Sequence, residues 1–216
     1  MNTYLDARTL TLGDVYKLLK FEGHLNNSLV SLLALEPLTD FERKEILSIR
    51  QQFWSDYANG KIPEEQVKFS YVARLMWLSG FYHPSLKITP KENIAAIHVE
   101  DEDTIIKGRL DILAVNKIKA KKIMTTFCIL LIEAKNIMID AMEGLPQLLA
   151  YAYKKLEHQP SLWGMATNGK DYQFVYIQQG NPPTYHLFPA QSLLYQESSR
   201  QLLQVLKAIR NQAQVD

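Results

Sequence analysis

Six consecutive apolar residues, Phe127–Ile132 (FCILLI), run directly into Glu133-Ala134-Lys135. A run this short and this apolar, flanked by β-branched residues, reads as a strand buried on both faces, which requires a sheet covered on each side. Residues 133 and 135 are two apart, so on a strand both side chains point to one face. An acid and a lysine at the end of a buried strand are costly unless other groups converge on them. Any fold for this chain must therefore cover a central strand and bring partners to its C-terminal end.

The flanking sequence supplies such a fold. Ile94–Val99, Thr104–Val115 and Ile123–Glu133 are rich in β-branched residues and read as strands. Leu162–Thr167 and Tyr172–Gln178 read as a hairpin around Asn168-Gly169, and Thr184–Phe188 reads as an added edge strand. Helices are expected at Asp14–Lys20 behind the Thr11/Asp14 cap, over Leu25–Leu35, and from the Thr39/Glu42 capping box to Tyr57, closed by Asn59-Gly60. Further helices are expected from Pro63 to about Ser79, over Gln147–His158 and over Ser192–Gln212. Pro146 suits a first turn; a helix beginning as early as Asp140 would be kinked there. The expected class is α/β (α+β), a mixed sheet flanked by helices. A helical N-terminal extension over 1–62 precedes a core over 63–216.

With 216 residues the chain is one generous domain, or one domain with an extension. Lys+Arg (24) less Asp+Glu (23) leaves a net charge of +1, so this is no basic nucleic-acid coat. Nucleic-acid contact would have to come from a local patch. The basic run Lys117, Lys119, Lys121 and Lys122 is either a solvated loop or a phosphate-contacting hairpin. The acidic tetrad Glu100–Asp103 reads as a solvated turn. The lone Cys128 lies in the apolar run and is expected to be a buried thiol. A single cysteine and no basic-then-apolar leader in MNTYLDARTLTLGD fit a cytoplasmic protein, and no apolar stretch approaches a membrane span.

The chemistry concentrates between Lys107 and Lys135. Asp111 lies within one expected strand, and Glu133 and Lys135 end the next. Carboxylates from adjacent strands suit a hard divalent cation such as Mg²⁺, which keeps water and phosphate in its remaining positions. A lysine beside the ion can position the attacking water and offset charge on a phosphate. A Glu-x-Lys triplet arises about once by chance in a chain of this length. Glu42-Arg43-Lys44 is such a match, and its Glu42 completes a helix cap.

In order, Gly108-Arg109-Leu110-Asp111-Ile112-Leu113, then Leu131-Ile132-Glu133-Ala134-Lys135-Asn136, then Gln147-Leu148-Leu149-Ala150-Tyr151 resemble the PD-(D/E)xK nuclease superfamily. Within that superfamily the pattern resembles the nuclease domain of type I restriction endonuclease motor subunits. Leu110 stands where the name-giving proline does, and Asn116–Lys122 forms a long basic insert. The resemblance spans roughly residues 64–178, including the strand–turn–strand Gly164–Val175. It implies a restriction-endonuclease-like fold and a Mg²⁺- or Mn²⁺-dependent enzyme cutting DNA. It also implies that Asp111, Glu133 and the carbonyl of Ala134 hold the metal and that Lys135 acts on water and phosphate. Gln147 and Tyr151 would support the site, and Glu64, with Glu65 as substitute, would add an acid. The alternatives are a nuclease-derived module that binds DNA or assembles proteins without cutting, and an assembly protein that homodimerises through residues 1–62.

Other signatures fail. Gly164–Lys170 has phosphate-loop spacing, but Asp171 follows where Ser or Thr should be, and the segment leads into a strand, so no ATP site is expected. His24, His83, His98, His158 and His186 show no zinc-ligand spacing, and no Gly-x-Ser-x-Gly elbow is present. Trp54, Trp77 and Trp163 sit in apolar patterns and are expected in a core or an interface.

Overall fold

A computed structural model describes residues 3–26, 28, 32–99, 103–120 and 123–212, with the side chains of 117–120 and 123–127 outside the description. β1 (Thr3–Asp6) leads through a 3-10 turn at Ala7–Thr9 into α1 (Leu12–Leu19), followed by β2 (Glu22–Leu25) and α2 (Asp40–Ala58). A continuous helical stretch comprises α3 (Glu64–Gln66), a π-helical segment Val67–Val72 and α4 (Ala73–Leu78). β3 (Leu86–Asn93), β4 (Ile97–Val99), β5 (Thr104–Lys107), β6 (Arg109–Ala120) and β7 (Ile123–Ala134) follow. A 3-10 turn at Ala141–Gly144 then opens α5 (Leu145–Leu156). The chain continues with β8 (Ser161–Thr167), β9 (Asp171–Gln178), β10 (Thr184–Leu187), β11 (Gln191–Ser192) and α6 (Gln196–Gln212).

The large sheet runs β2-β10-β9-β8-β7-β6-β3, with β11 on β9; a small sheet runs β1-β5-β4. The large sheet is mixed: β7 with β8 and β10 with β2 are parallel, the remaining pairs antiparallel. The parallel β7–β8 pair needs a crossover, which α5 supplies. Alternating residues serve opposite faces. Ile112, Ala114, Leu130 and Ile132 join the core shared with α2, α4 and α6. Leu113, Val115, Cys128 and Leu131 join the core shared with α1, α5 and the small sheet. Both faces of β6 and β7 are thus covered, as the apolar run demanded.

Several local readings hold. Thr11 with Asp14, and Thr39 with Glu42, form reciprocal capping boxes at the starts of α1 and α2. Asn168 Oδ1 accepts from the amides of Lys170 and Asp171, and Gly169 takes φ +86°, so the hairpin turn forms. The 3-10 turn ends before Pro146, which sits in the first turn of α5 where its missing N–H costs nothing. Cys128 is buried, and burial pushes its thiol up to about 12. The basic insert lengthens the β6–β7 hairpin, whose pairing continues to Ala120 opposite Ile123.

Others are corrected. Residues 1–62 are not purely helical: β1 pairs with β5, and β2 pairs with β10. These four-residue strands lack a β-branched run and are formed by the edges they meet. The helix expected over Leu25–Leu35 falls partly outside the described residues; Leu25 is held opposite Leu187, and residues 33–35 are not helical. With β2 beside it, β10 is an internal strand rather than an edge. The strand expected over Thr104–Val115 breaks at Gly108, where the chain passes so close to Ala7 that an added Cβ would stand 2.7 Å from Ala7 Cβ. The strand expected from Ile94 begins at Ile97, and Pro90 hides the strand character of β3, which as a sheet edge tolerates both that proline and a left-handed Lys91 (φ +56°). α6 starts at Gln196 because Gln191 and Ser192 pair with β9. Trp163 is in the core, whereas Trp54 and Trp77 are 60% and 56% exposed. Of Glu100–Asp103 only Asp103 is described. Among the described residues no helix is long and apolar enough to cross a membrane.

Candidate active site

The bulge between Ala114 and Val115 sets the register in which Ile112 faces Ile132. That register carries Asp111 and Glu133 to the same end of neighbouring strands. The Ala134 amide donates to Asp111 Oδ2 at 2.9 Å. The Lys135 amide donates to the Thr167 carbonyl at 2.7 Å, so pairing with β8 holds the strand end straight. Lys135 Nζ then donates to Glu133 Oε1 at 3.0 Å and to Gln147 Oε1 at 3.1 Å. Gln147 Nε2 donates to the Arg109 carbonyl at 2.9 Å, tying α5 to the start of β6.

α5 can sit this close because Gly164 lies beneath it; a Cβ there would collide with Leu148 and stand 2.8 Å from Val175. The result is a pocket of about 390 Å³ lined by Asp111, Glu133, Lys135, Gln147 and Glu64, together with Asp6, Arg8, Asn93, Gly108 and Arg109. Of the six residues expected by resemblance to act in catalysis, five line this pocket. Tyr151, one turn further along α5, lies behind it in a neighbouring cleft with Leu110, Leu113 and Leu131. It is buried against Gly108; burial, and then the charge on Glu133, push its phenol above the ordinary value.

Glu133 is the stressed group. It is 3% exposed, and its Oε2 has no hydrogen-bond partner among the described residues. Burial, and next the charge on Asp111, push its carboxyl up to about 8, although Lys135 pulls the other way. A divalent cation would relieve both causes by facing the orphaned oxygen and neutralising the paired acids. The two carboxylates therefore fit a hard cation, with the Ala134 carbonyl as the further ligand that the resemblance implies. Among the described residues no group of three or more His, Cys, Asp or Glu side chains is placed to hold a metal ion.

Lys68 was missed by sequence reasoning. Its side chain is 8% exposed, and Nζ lies 2.8 Å from Glu64 Oε1, 2.8 Å from Glu65 Oε1 and 3.1 Å from Asp111 Oδ1. Burial lowers its pKa, but the hydrogen bonds to Glu64 and Glu65 and the charge of Asp111 outweigh this and raise it above the ordinary value. The signal was present as Glu64 and Glu65 at four and three residues before Lys68 on one helix. Lys68 belongs to the π-helical segment, and the Ala73 amide bonds the Lys68 carbonyl five residues back; such turns recur at functional sites. Asp6 and Arg8 were also missed, because the pairing of β1 with β5, Asp6 opposite Lys107, brings them to the pocket. Arg8 is anchored to Asp6 by side-chain hydrogen bonds of 3.0 and 3.1 Å from its Nε.

No protein-family model matches the chain, and no curated relative matches its sequence.

Proposed function

We propose that the chain is a metal-dependent nuclease of the PD-(D/E)xK type that hydrolyses phosphodiester bonds of DNA, on a restriction-endonuclease-like core. The observation that carries this reading is the buried, unpartnered Glu133 Oε2, set beside Asp111 and within a side chain's reach of a lysine. Asp111, Glu133 and the Ala134 carbonyl would hold Mg²⁺ or Mn²⁺. When bound, the ion lowers the pKa of coordinated water and offsets charge on the phosphate.

The remaining work falls to the chain. Lys135, steadied by Gln147, places a positive charge where the attacking water and a non-bridging phosphate oxygen meet. Hydrolysis forms the bond from water oxygen to phosphorus and breaks the bond to the leaving sugar oxygen, which takes up a proton. Arg8 and Arg109 at the pocket wall suit flanking phosphates, which position the backbone without reading sequence. Isothermal calorimetry with Mg²⁺ tests the reading: binding that is lost in both Asp111→Ala and Glu133→Gln is expected, and undiminished binding in either variant contradicts it.

A second reading, a nuclease-derived module that binds DNA without cutting, is favoured by one observation. Each carboxylate already has an ammonium, Lys68 on Asp111 and Lys135 on Glu133. Salt-dependent DNA affinity with no turnover and no Mg²⁺ binding would select it.

A further inference from the structure

We infer that the centre takes one divalent cation rather than two, because the ammonium of Lys68 stands where a second ion would bridge Asp111 and Glu64. The inference rests on the metal-dependent reading above and concerns how many ions that centre holds.

Two-metal phosphoryl-transfer sites set their ions about 3.5–4 Å apart and share a carboxylate between them. Asp111 is the carboxylate positioned for sharing, since it lies between Glu133 on one side and the Glu64–Glu65 turn on the other. On the Glu133 side a carboxylate oxygen is unpartnered. On the Glu64 side Lys68 engages Oε1 of Glu64, Oε1 of Glu65 and Oδ1 of Asp111. Lys68 has three N–H donors, and three carboxylates stand around it, Glu64 and Glu65 each at 2.8 Å and Asp111 at 3.1 Å. A dication at those same oxygens would meet the ammonium at contact distance and be repelled.

Lys68 is held in place by more than its charges. Its side chain is 8% exposed, and its neighbours Val67, Tyr71 and Val72 are fully buried in the core with α2 and α6. Glu64 is accordingly a positioning residue for Lys68, not a ligand of the metal. The acid that the resemblance implies at Glu64 thus acts through Lys68.

The test counts ions. Mn²⁺ binding to the full chain is measured by isothermal calorimetry for wild type, Lys68→Met and Glu64→Gln, with folding followed by circular dichroism. Wild type should bind one ion, folded Lys68→Met two, and Glu64→Gln one at the wild-type affinity. Two ions in wild type, or fewer than two in folded Lys68→Met, overturn the inference while leaving the metal-dependent reading in place. No ion in wild type overturns that reading itself. Should Lys68→Met fail to fold, Glu64→Gln decides: one ion at the wild-type affinity upholds the inference, and a lost or weakened ion overturns it.

Discussion

The backbone N–H of Ala134 donates to Oδ2 of Asp111 at 2.9 Å, so a carboxylate on β6 fastens the last residue of β7. The bond lets a charged residue from one strand satisfy the amide of the next, and it draws Asp111 towards Glu133. Their mutual repulsion is part of what raises the Glu133 carboxyl, and that stress has measurable consequences.

Glu133 makes metal-free stability depend on pH. Its ordinary pKa of 4.5 becomes about 8 in the folded protein. Below pH 4.5 both folded and unfolded chains carry the proton. Between these values the unfolded chain releases it and the folded chain keeps it, so stability falls as pH rises and levels off above about 8. The loss is on the order of a few kcal/mol. Thermal melts in EDTA across this range should show the decline in wild type and a much flatter profile in Glu133→Gln.

Among the described residues the Lys135 ammonium donates to Glu133 and Gln147, and Lys135 belongs to neither apolar core, so truncating it leaves both cores intact. Lys135→Ala should lower cleavage by about a hundredfold or more, the scale of a lost transition-state charge. Its circular dichroism spectrum should match wild type. Plasmid nicking under Mg²⁺ reads the first and a thermal scan the second.

Gln147 holds Lys135 through its Oε1 while its Nε2 donates to the Arg109 carbonyl and fixes the amide. Gln147→Ala should reduce kcat by about tenfold, near the worth of one or two hydrogen bonds. Mg²⁺ affinity should stay close to wild type, because Gln147 is not among the carboxylates. A matching fall in metal affinity would place it among the ligands instead.

Gly164 sets the height of α5 over the sheet. In Gly164→Ala the new methyl meets Leu148 and Val175, and overpacking should cost about 1–3 kcal/mol by urea unfolding. Leu148 neighbours Gln147, so the same variant should also lose activity without touching any site residue.

Much of this was legible in the sequence where the controlling interaction is local. The Thr11/Asp14 and Thr39/Glu42 boxes, the Asn168-Gly169 turn and the apolar run of β7 depend on residues within a few positions of one another. Asp111, Glu133, Lys135 and Gln147 could be picked out because the resemblance supplied their order, and spacing alone put Glu133 and Lys135 on one face. What escaped is set by distant partners. β1 and β2 exist because the edges of β5 and β10 are available to them. β3 hides behind Pro90. Asp6 and Arg8 reach the pocket, and Lys68 reaches Asp111, through partners far along the chain. Lys68 carried a local hint in its spacing from Glu64, but an i,i+4 pair on a helix ordinarily marks an exposed face. Its burial beside Asp111 is visible only in three dimensions.

DNA cleavage tests most directly whether Asp111 and Lys135 belong to one phosphodiester-cutting centre. Supercoiled plasmid and single-stranded DNA are incubated with the full chain and Mg²⁺ or Mn²⁺, beside folded Asp111→Ala and Lys135→Ala. A shared centre gives metal-dependent cleavage by wild type that both variants lose and EDTA abolishes. Folded wild type that cuts neither substrate, or either variant cutting as fast as wild type, would contradict it.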